Sequence, residues 1–350
     1  MDLETKLELV KKPPTEEVLT EPELRQLLET EEHPEHYIGF EISGLLHLGT
    51  LFLCGYKIND FLKAGIKCKV FLADWHTFLN QKLGADWEKI KKASKYFAEG
   101  FKFFCPGVKV LLGSELYHNN DEYWKDLVRF CLQITLPRTV RCLTILGRSE
   151  KEKLKFSQFL YPPMQCIDVK HLASLPHGGM DQRKAHVLAR EVFPKLGWRK
   201  PVAVHHSLLG GLAKPPEAPT KLEKVVASKM SKSKPWTCIF IHDKEEEIGE
   251  KLRKAWCPAG EVELNPVLEL CRLIIFRERE SFLVERKAEH GGTIEFQSYE
   301  ELQEAYRRKE LHPQDLKENV ARELSLILKP VRKFFEKPSK AKLLEVLKES

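Results

Sequence analysis

The chain has 350 residues, 42% hydrophobic and 31% charged, which predicts a soluble globular protein long enough for two domains. Its longest apolar runs, 70–73 and 273–276, are far shorter than the roughly 20 residues that cross a bilayer. Residues 1–12 lack the apolar core of a secretory signal, so we expect a cytoplasmic protein. The net charge of +6 permits a polyanionic partner without requiring one.

The cysteines are nine in number and contain no C-x-x-C pair. This spacing favours reduced, mostly buried thiols over a disulfide framework or a zinc site. We therefore predict no protein-held metal.

Strand and helix patterns alternate through the first third of the chain. In order, they are a helix at 21–31, a strand at 37–40, a helix at 48–62, a strand at 68–73, a helix at 85–104 and a strand at 108–112. Alternation at this spacing predicts an α/β fold with a Rossmann-like, doubly wound parallel sheet.

Residues 117–172 show helical patterns alone, which predicts an insertion between two half-sheets. The remaining predicted elements are a helix at 181–192, strands at 202–205 and 238–241, and helices near 248–255, 266–276, 299–307 and 313–335. We expect an N-terminal helical segment at 1–36, an α/β domain at 37–257 and an all-helical domain at 258–350.

The first motif with chemical content is the segment 43–50, SGLLHLGT, where a predicted strand gives way to a helix. Doubly wound sheets bind ligands at this edge, and a helix N-terminus offers free N–H groups to anions. Gly49 would allow close approach of a nucleotide, and His47 can donate to a phosphoryl oxygen. Helix capping explains the motif alone about as well.

The second motif is a lysine-serine loop at 228–234, SKMSKSK, which follows a proline-rich stretch. A loop closing over a triphosphate could bring Lys229 and Lys232 onto the leaving pyrophosphate. The alternative is a solvated basic loop.

Together, in this order and on this framework, the two motifs resemble the two signature sequences of the class I aminoacyl-tRNA synthetases. Within that class the chain is similar to the tyrosyl enzymes of archaeal type. The matching stretches are 37–41 (YIGFE), 73–76 (ADWH), 161–168 (YPPMQCID), 178–184 (GGMDQRK), 299–302 (YEEL) and 311–317 (LHPQDLK). The resemblance implies that the C-terminal domain binds the anticodon.

The resemblance also implies a tyrosine site. The substrate hydroxyl would be held by Tyr37 and Asp168, a pairing that suits a phenol because it both donates and accepts. The implied site further contains the following residues: Gly39, Glu41, His76, Tyr161, Gln165 and Gln182. Considered separately, Tyr37 and Asp168 would be a strand-end aromatic residue and an acid on a helix surface.

For ATP, the resemblance implies catalytic roles for His47, Thr50, Lys229 and Lys232. The other implied ATP ligands are Gly49, Gly179, Asp181, Met230 and Ser231. Tyrosine would attack the α-phosphorus, and tRNA would then take up the tyrosyl group, with Mg²⁺ carried by ATP shielding the pyrophosphate.

Two positions depart from typical relatives. The first signature usually closes with a second histidine, whereas this chain has Thr50, which can donate to a phosphate but carries no charge. The second signature is complete, although relatives of this type often have serine in place of the second lysine, here Lys232.

The implied macromolecular partners are tRNA(Tyr) and a second copy of the chain. The insertion would form the homodimer interface and receive the acceptor stem, with Arg141 and Arg183 on its first base pair. Asp315, with His290 and His312 nearby, would read the anticodon. Alternatively, Asp315 caps the helix that begins at Pro313.

Three other functions compete with tyrosine activation: a tryptophanyl enzyme, a synthetase that retains only RNA binding, and another nucleotidyltransferase of the same superfamily. Tyr37 with Asp168 argues against the first, since tryptophan has no phenol. Intact His47, Lys229 and Lys232 argue against the second, and a helical C-terminal region with Asp315 argues against the third.

Overall fold

A computed structural model describes the backbone of residues 1–146 and 155–348, without the side chains of His290, Val346 and Lys348. The chain divides into two compact units. The first contains Met1–Gly44, Cys54–Ser207 and Lys342–Ser350, and the second contains Leu45–Leu53 and Leu208–Ala341.

A six-stranded sheet, in the order β1-β6-β5-β2-β3-β4, runs through the first unit. Its strands are β1 Thr15–Leu19, β2 Glu35–Phe40, β3 Lys67–Leu72, β4 Lys109–Leu112, β5 Leu175–Gly179 and β6 Ala203–His206. All neighbours are parallel except β1, which is antiparallel to β6. The chain order reverses between β2 and β5, which is where doubly wound sheets place their ligands.

Ten helices of the first unit surround this sheet in the described residues. They are α1 Leu3–Lys11, α2 Glu21–Thr30, α3 Cys54–Lys63, α4 Asp74–Leu79, α5 Trp87–Phe104, α6 Gly113–Tyr117, α7 Asp121–Cys131, α8 Leu136–Val140, α9 Tyr161–Leu172 and α10 Arg183–Val192. Between β4 and β5 the described chain is helical, in agreement with the predicted insertion.

The second unit is mainly helical. Its helices are α11 Lys221–Ser228, α12 Glu245–Lys254, α13 Pro266–Leu270, α14 Phe276–Glu278, α15 Tyr299–Arg307 and α16 Pro313–Glu336. The last described helix, α17 Pro338–Lys348, begins in this unit and passes into the first unit at Lys342. Two π-helical turns, Leu48–Leu53 and Cys271–Ile275, and one hairpin, β7 Phe282–Val284 with β8 Ile294–Phe296, complete the second unit. The C-terminal region is therefore mainly helical, but the prediction of an all-helical domain was wrong at this hairpin.

The predicted strand at 238–241 was wrong. Phe240 makes only an isolated pair with His47, framed by bonds from the Leu48 amide to the Ile239 carbonyl (3.1 Å) and from the Ile241 amide to the Leu46 carbonyl (3.2 Å). The run is apolar because it is buried, not because it belongs to a sheet.

The compact units also differ from the expected domain boundaries. Residues 1–36 belong to the sheet-containing unit because β1 pairs with β6. The segment 208–257 belongs with the C-terminal residues, since α12 packs on α16.

All nine cysteines are free thiols, and eight of them are buried, as predicted. In the part of the chain that the structure describes, none of the helices is both long and apolar enough to span a bilayer.

Candidate active site

The carboxyl group of Asp168, on α9, is the centre of a buried polar cluster in the first unit. Its Oδ1 accepts hydrogen bonds from the hydroxyls of Tyr117 (3.0 Å) and Tyr123 (2.8 Å). Oδ2 is buried and has no hydrogen-bond partner among the described residues. One oxygen is thus saturated by tyrosine hydroxyls, while the other is available to a ligand.

Tyr37, on β2, contributes a third tyrosine hydroxyl. Its ring follows the strand so closely that a Cβ at Gly39 would lie 2.4 Å from the hydroxyl oxygen, which explains why glycine is required there. The Tyr37 side chain is 2% exposed, and its hydroxyl makes no hydrogen bond within the described chain.

Burial raises the pKa of Asp168 to about 8, and the hydrogen bonds from Tyr123 and Tyr117 act in the opposite direction. Burial, followed by the nearby Asp168 charge, raises the pKa of Tyr37, Tyr117 and Tyr123, so all three keep their protons at neutral pH.

His76, on α4, faces the same carboxyl group. Its Nε2 lies 3.7 Å from Asp168 Oδ2, and its ring meets the Tyr161 ring edge-on with centroids 4.4 Å apart. Burial lowers the pKa of His76 to about 3, so this imidazole is neutral.

A second polar group lies on α9 and just before α10. Gln165 donates to Gln182 Oε1 (3.1 Å), and Gln182 in turn donates to the Ile145 carbonyl (3.3 Å). This leaves Gln165 Oε1 buried without a hydrogen-bond partner among the described residues. Glu41 accepts from Asn80 Nδ2 (2.6 Å) and lies 3.8 Å from the Lys82 ammonium.

The first signature lies in the second unit, at the π-helical turn Leu48–Leu53. His47 is 7% exposed, and its Nε2 lies 2.9 Å from the Thr50 hydroxyl. Its Nδ1 is buried without a partner among the described residues. A Cβ at Gly49 would lie 3.2 Å from His47 Cε1, a tight contact that would push the ring by a few tenths of an ångström.

The lysine-serine loop belongs to the same unit. Burial, followed by the charges of Lys232 and Lys229, lowers the pKa of His47 to about 3. Met230 anchors the loop: its side chain is buried, and its amide donates to the Leu209 carbonyl (2.7 Å). Ser231 Oγ lies 2.9 Å from Ser233 Oγ. The signature thus places a buried methionine between two lysines that act electrostatically on His47.

Gly179 ends β5, and Asp181 lies in the 3₁₀ turn that follows, Met180–Gln182. Both therefore occupy the carboxyl edge of the sheet beside the β2/β5 switch point, where a nucleotide is expected.

Of the predicted tRNA contacts, Arg141 is exposed, whereas the Arg183 Nε donates to both carboxylate oxygens of Glu17 (2.9 and 2.8 Å). His312 accepts from the Gln314 amide (3.2 Å) and so caps α16. Asp315 lies in the first turn of α16 without acting as its cap. The side chain of His290 lies outside the described residues.

Sequence reasoning missed Tyr117 and Tyr123. Their spacing of six residues across a helix break gives no periodic signal, and tyrosine is an ordinary core residue.

The pattern of the family described as tRNA synthetases class I (W and Y) matches residues 29–329. The chain belongs to this family. Relatives include a "Tyrosine--tRNA ligase" of Thermococcus sibiricus, 48% identical over 361 residues and covering 96% of each chain. A second, of Thermococcus kodakarensis, is 47% identical over 373 residues and covers 99% of each chain.

Among solved structures, the tyrosyl-tRNA synthetase of Pyrococcus horikoshii complexed with L-tyrosine superposes with a TM-score of 0.93. It is 44% identical, and the match covers 100% of both chains. Membership in the class I synthetase family assigns the fold and makes ATP a substrate.

Proposed function

We infer that this protein is a tyrosine–tRNA ligase. It joins L-tyrosine to ATP, releasing pyrophosphate and forming tyrosyl-adenylate, and then transfers the tyrosyl group to the 3′ end of its tRNA. The observation that supports this choice most strongly is the buried carboxyl group of Asp168, whose Oδ2 is left without a partner beside Tyr37.

A phenol fits this arrangement because it can donate to Asp168 Oδ2 while it accepts from the Tyr37 hydroxyl. Phenylalanine would leave both groups buried and unsatisfied, which in comparable sites costs on the order of 10⁴ to 10⁵ in discrimination. Tryptophan offers no hydroxyl to accept from Tyr37.

The substrate ammonium requires acceptors, and Gln165 Oε1 is a buried oxygen without a partner in the described chain. We assign the ammonium to Gln165, Gln182 and Tyr161, with Glu41 adding negative charge nearby. His76 closes the pocket as a neutral ring.

In the second unit, His47 is suited to donate to a phosphoryl oxygen. The Thr50 hydroxyl can rotate to donate to His47 Nε2, which places the ring proton on the unpartnered Nδ1. Lys229 and Lys232 would stabilise charge on the departing pyrophosphate. Gly49, Met230 and Ser231 shape this phosphate-binding segment.

Gly179 and Asp181 are proposed ATP ligands at the carboxyl edge of the sheet. Among the described residues no cluster of acidic, histidine or cysteine side chains could hold a metal ion. Mg²⁺ would therefore enter with ATP and neutralise phosphate charge.

For tRNA we propose that Arg141 and Arg183 contact the acceptor stem, and that Asp315, His312 and His290 contact the anticodon. Arg183 would have to exchange Glu17 for RNA. We also propose a homodimer, because the insertion exposes an apolar stripe that consists of Trp124, Val128 and Leu132 along α7 and its C-cap, together with Leu136 at the start of α8. Such a ligase works on ATP and tRNA in the cytoplasm.

ATP–pyrophosphate exchange tests this proposal. Exchange should depend on tyrosine and not on tryptophan or phenylalanine, and Tyr37→Phe should weaken the selection against phenylalanine. Lys229→Ala and Lys232→Ala should slow adenylate formation far more than they weaken tyrosine binding. A protein that binds tRNA but catalyses no exchange with any amino acid would be an RNA-binding relative instead.

A further inference from the structure

We propose that Tyr117 and Tyr123 are positioning residues for substrate selection: their hydroxyls occupy Asp168 Oδ1, so that Oδ2 is the acceptor left for the phenol of tyrosine. The inference rests on the proposed binding of that phenol by Asp168. It assigns a task to two side chains that neither signature sequence includes.

The two tyrosine hydroxyls give the two carboxyl oxygens of Asp168 different roles. A carboxylate oxygen has two lone pairs, and Oδ1 accepts one hydrogen bond from each tyrosine, at 3.0 and 2.8 Å. Tyr123 has one alternative acceptor, the Met164 carbonyl at 3.3 Å, which is the longer contact. With both donors on one side, the carboxyl plane is fixed, and Oδ2 has no partner in the described chain.

The segment that carries the two tyrosines is itself held in place. Tyr117 is the last residue of α6, and its carbonyl accepts from the Trp124 indole (3.1 Å). The Asn120 side chain caps α7 by accepting from the Tyr123 amide (3.1 Å). Both rings are buried, at 3% and 0% exposure, and their centroids lie 4.7 Å apart. The donors are therefore preorganised before substrate arrives.

The same two bonds set the charge of the acceptor. Burial raises the pKa of Asp168 to about 8, and its hydrogen bonds from Tyr123 and Tyr117 limit that rise. Titratable groups from five elements face this carboxyl group: Tyr37 on β2, Asp74 and His76 on α4, Tyr161 and Cys166 on α9, Tyr117 on α6 and Tyr123 on α7. Of these, only Tyr117 and Tyr123 donate a hydrogen bond to it in the described chain.

In its ionised form, Asp168 rejects phenylalanine more strongly than it does as a neutral acid, because leaving a charged acceptor unpaired costs more. By favouring the ionised form, Tyr117 and Tyr123 would increase the discrimination against phenylalanine, in addition to orienting the carboxyl group. Without them, Asp168 would keep its proton to higher pH, and Oδ2 would compete with Oδ1 for solvent or substrate donors.

The test is pyrophosphate exchange with tyrosine and phenylalanine from pH 6 to 9, using Tyr117→Phe, Tyr123→Phe and the double variant. We expect kcat/KM for tyrosine to fall about tenfold for each hydroxyl removed, with KM for ATP unchanged. The acidic limb of the profile should move to higher pH, and the preference for tyrosine over phenylalanine should decrease. Tyr306→Phe, which loses buried bonds to the Cys257 and Pro258 carbonyls, is the control for a purely structural loss.

The Asp168→Asn background separates the possible failures. There the two phenylalanine changes should no longer move the pH profile, because the titrating carboxyl group is gone. If Asp168→Asn itself retains wild-type selectivity, the proposed phenol site fails, and this inference with it. If Asp168→Asn loses selectivity but the phenylalanine variants show the wild-type profile and only a lower Tm, the phenol site stands and the positioning role is overturned.

Discussion

The folded protein disfavours the ionised form of the Asp168 carboxyl group. Its pKa is raised from 3.8 in the unfolded chain to about 8 by burial. Between these values the folded state binds a proton that the unfolded state has lost, so this residue's contribution to stability falls as the pH rises from about 4 and is fully lost above about 8. The carboxyl group that selects tyrosine therefore lowers the stability of the protein when no tyrosine is bound.

Asp168→Asn should remove this loss of stability. We expect the variant without tyrosine to be more stable than the wild type at pH 9, by on the order of a few kcal/mol in the free energy of unfolding, and to lose that advantage towards pH 4. Urea unfolding at several pH values measures the difference. Tyrosine-dependent exchange should be strongly reduced in the same variant, and a pH-independent difference in stability would contradict the explanation.

Thr50 replaces the usual second histidine of the first signature, and its hydroxyl contacts His47 Nε2 at 2.9 Å. Thr50→Val removes this contact and should slow adenylate formation on the order of tenfold, since a hydrogen bond contributes about 0.5–1.5 kcal/mol. KM for tyrosine should not change. Thr50→Ser, which keeps the hydroxyl, is the matched control, and single-turnover kinetics gives the rate.

At this scale the sequence assigns roles only to residues that a signature or a matching stretch contains, such as His47, Lys229 and Asp168, and those roles stay predictions. It did not predict that Thr50 contacts His47, or that Tyr117 and Tyr123 hold Asp168. Those contacts depend on where helices of the insertion place their side chains, and single-sequence periodicity carries no information about distances across elements.

Among the elements, α1 is fixed to the sheet-containing unit by one buried lysine. Lys57, on α3, is 0% exposed and donates to the carbonyls of Leu9 (3.0 Å), Val10 (3.0 Å) and Lys12 (2.9 Å) at the end of that helix. It also contacts the buried Asp60 carboxylate at 3.2 Å. The ammonium thus satisfies carbonyls that a helix C-terminus leaves open.

Lys57→Met should destabilise the protein by about 3–5 kcal/mol, because it leaves the Asp60 carboxylate and the α1 carbonyls without this donor. Amide hydrogen exchange should show the largest loss of protection in Leu3–Lys11. Lys63→Met, on the exposed face of the same helix, serves as the control and should have little effect. Equal exchange throughout the unit would argue against a local role in holding α1.

The start of α16 bears on the anticodon proposal. His312, rather than Asp315, provides the cap, so the Asp315 carboxylate remains available to a guanine edge with paired donors. Asp315→Ala should impair charging of tRNA that has guanine at the first anticodon position, and pyrophosphate exchange should stay intact. Normal charging, or a loss of exchange together with a lower Tm, would favour a structural role.

Strands with apolar runs, such as β2 and β3, were predictable because parallel strands are buried on both faces. The β7–β8 hairpin, in a domain predicted to be all-helical, and two strands of the six-stranded sheet were not. β1 (TEEVL) is rich in acids, and β5 (LPHGG) contains proline and two glycines, so neither has strand propensity, and tertiary pairing alone defines them. The opposite error occurred at 238–241, where we predicted a strand because the run is apolar, although these residues are buried outside any sheet.

For the whole molecule, the exposed stripe on the insertion is the feature that calls for a partner. Val128, Leu132 and Leu136 are 61%, 78% and 64% exposed. Single exposed apolar side chains are normal on a monomer, whereas several of them together on one surface indicate an interaction site. A two-fold dimer would bury this stripe against its own copy.

Leu132→Glu should therefore shift the protein from dimer to monomer at micromolar concentration, as measured by light scattering. Placing carboxylates opposite each other across a two-fold interface combines repulsion with desolvation. Leu326→Glu, at a leucine that is 48% exposed on α16, is the control and should remain dimeric. A wild-type protein that is monomeric under these conditions would contradict the proposed assembly.

Trp124 belongs both to this stripe and to the support of the Asp168 carboxyl group, since its indole nitrogen donates to the carbonyl of Tyr117 at 3.1 Å. If the two copies of the dimer meet at this stripe, the selectivity of the enzyme for tyrosine depends on the enzyme concentration. Dilution below the dissociation constant of the dimer would leave this indole and Tyr117 held only by contacts within their own chain, and the discrimination between tyrosine and phenylalanine would weaken to the extent that the partner copy adds to those contacts. Error rates measured on very dilute samples would then overstate the error rate in the cell.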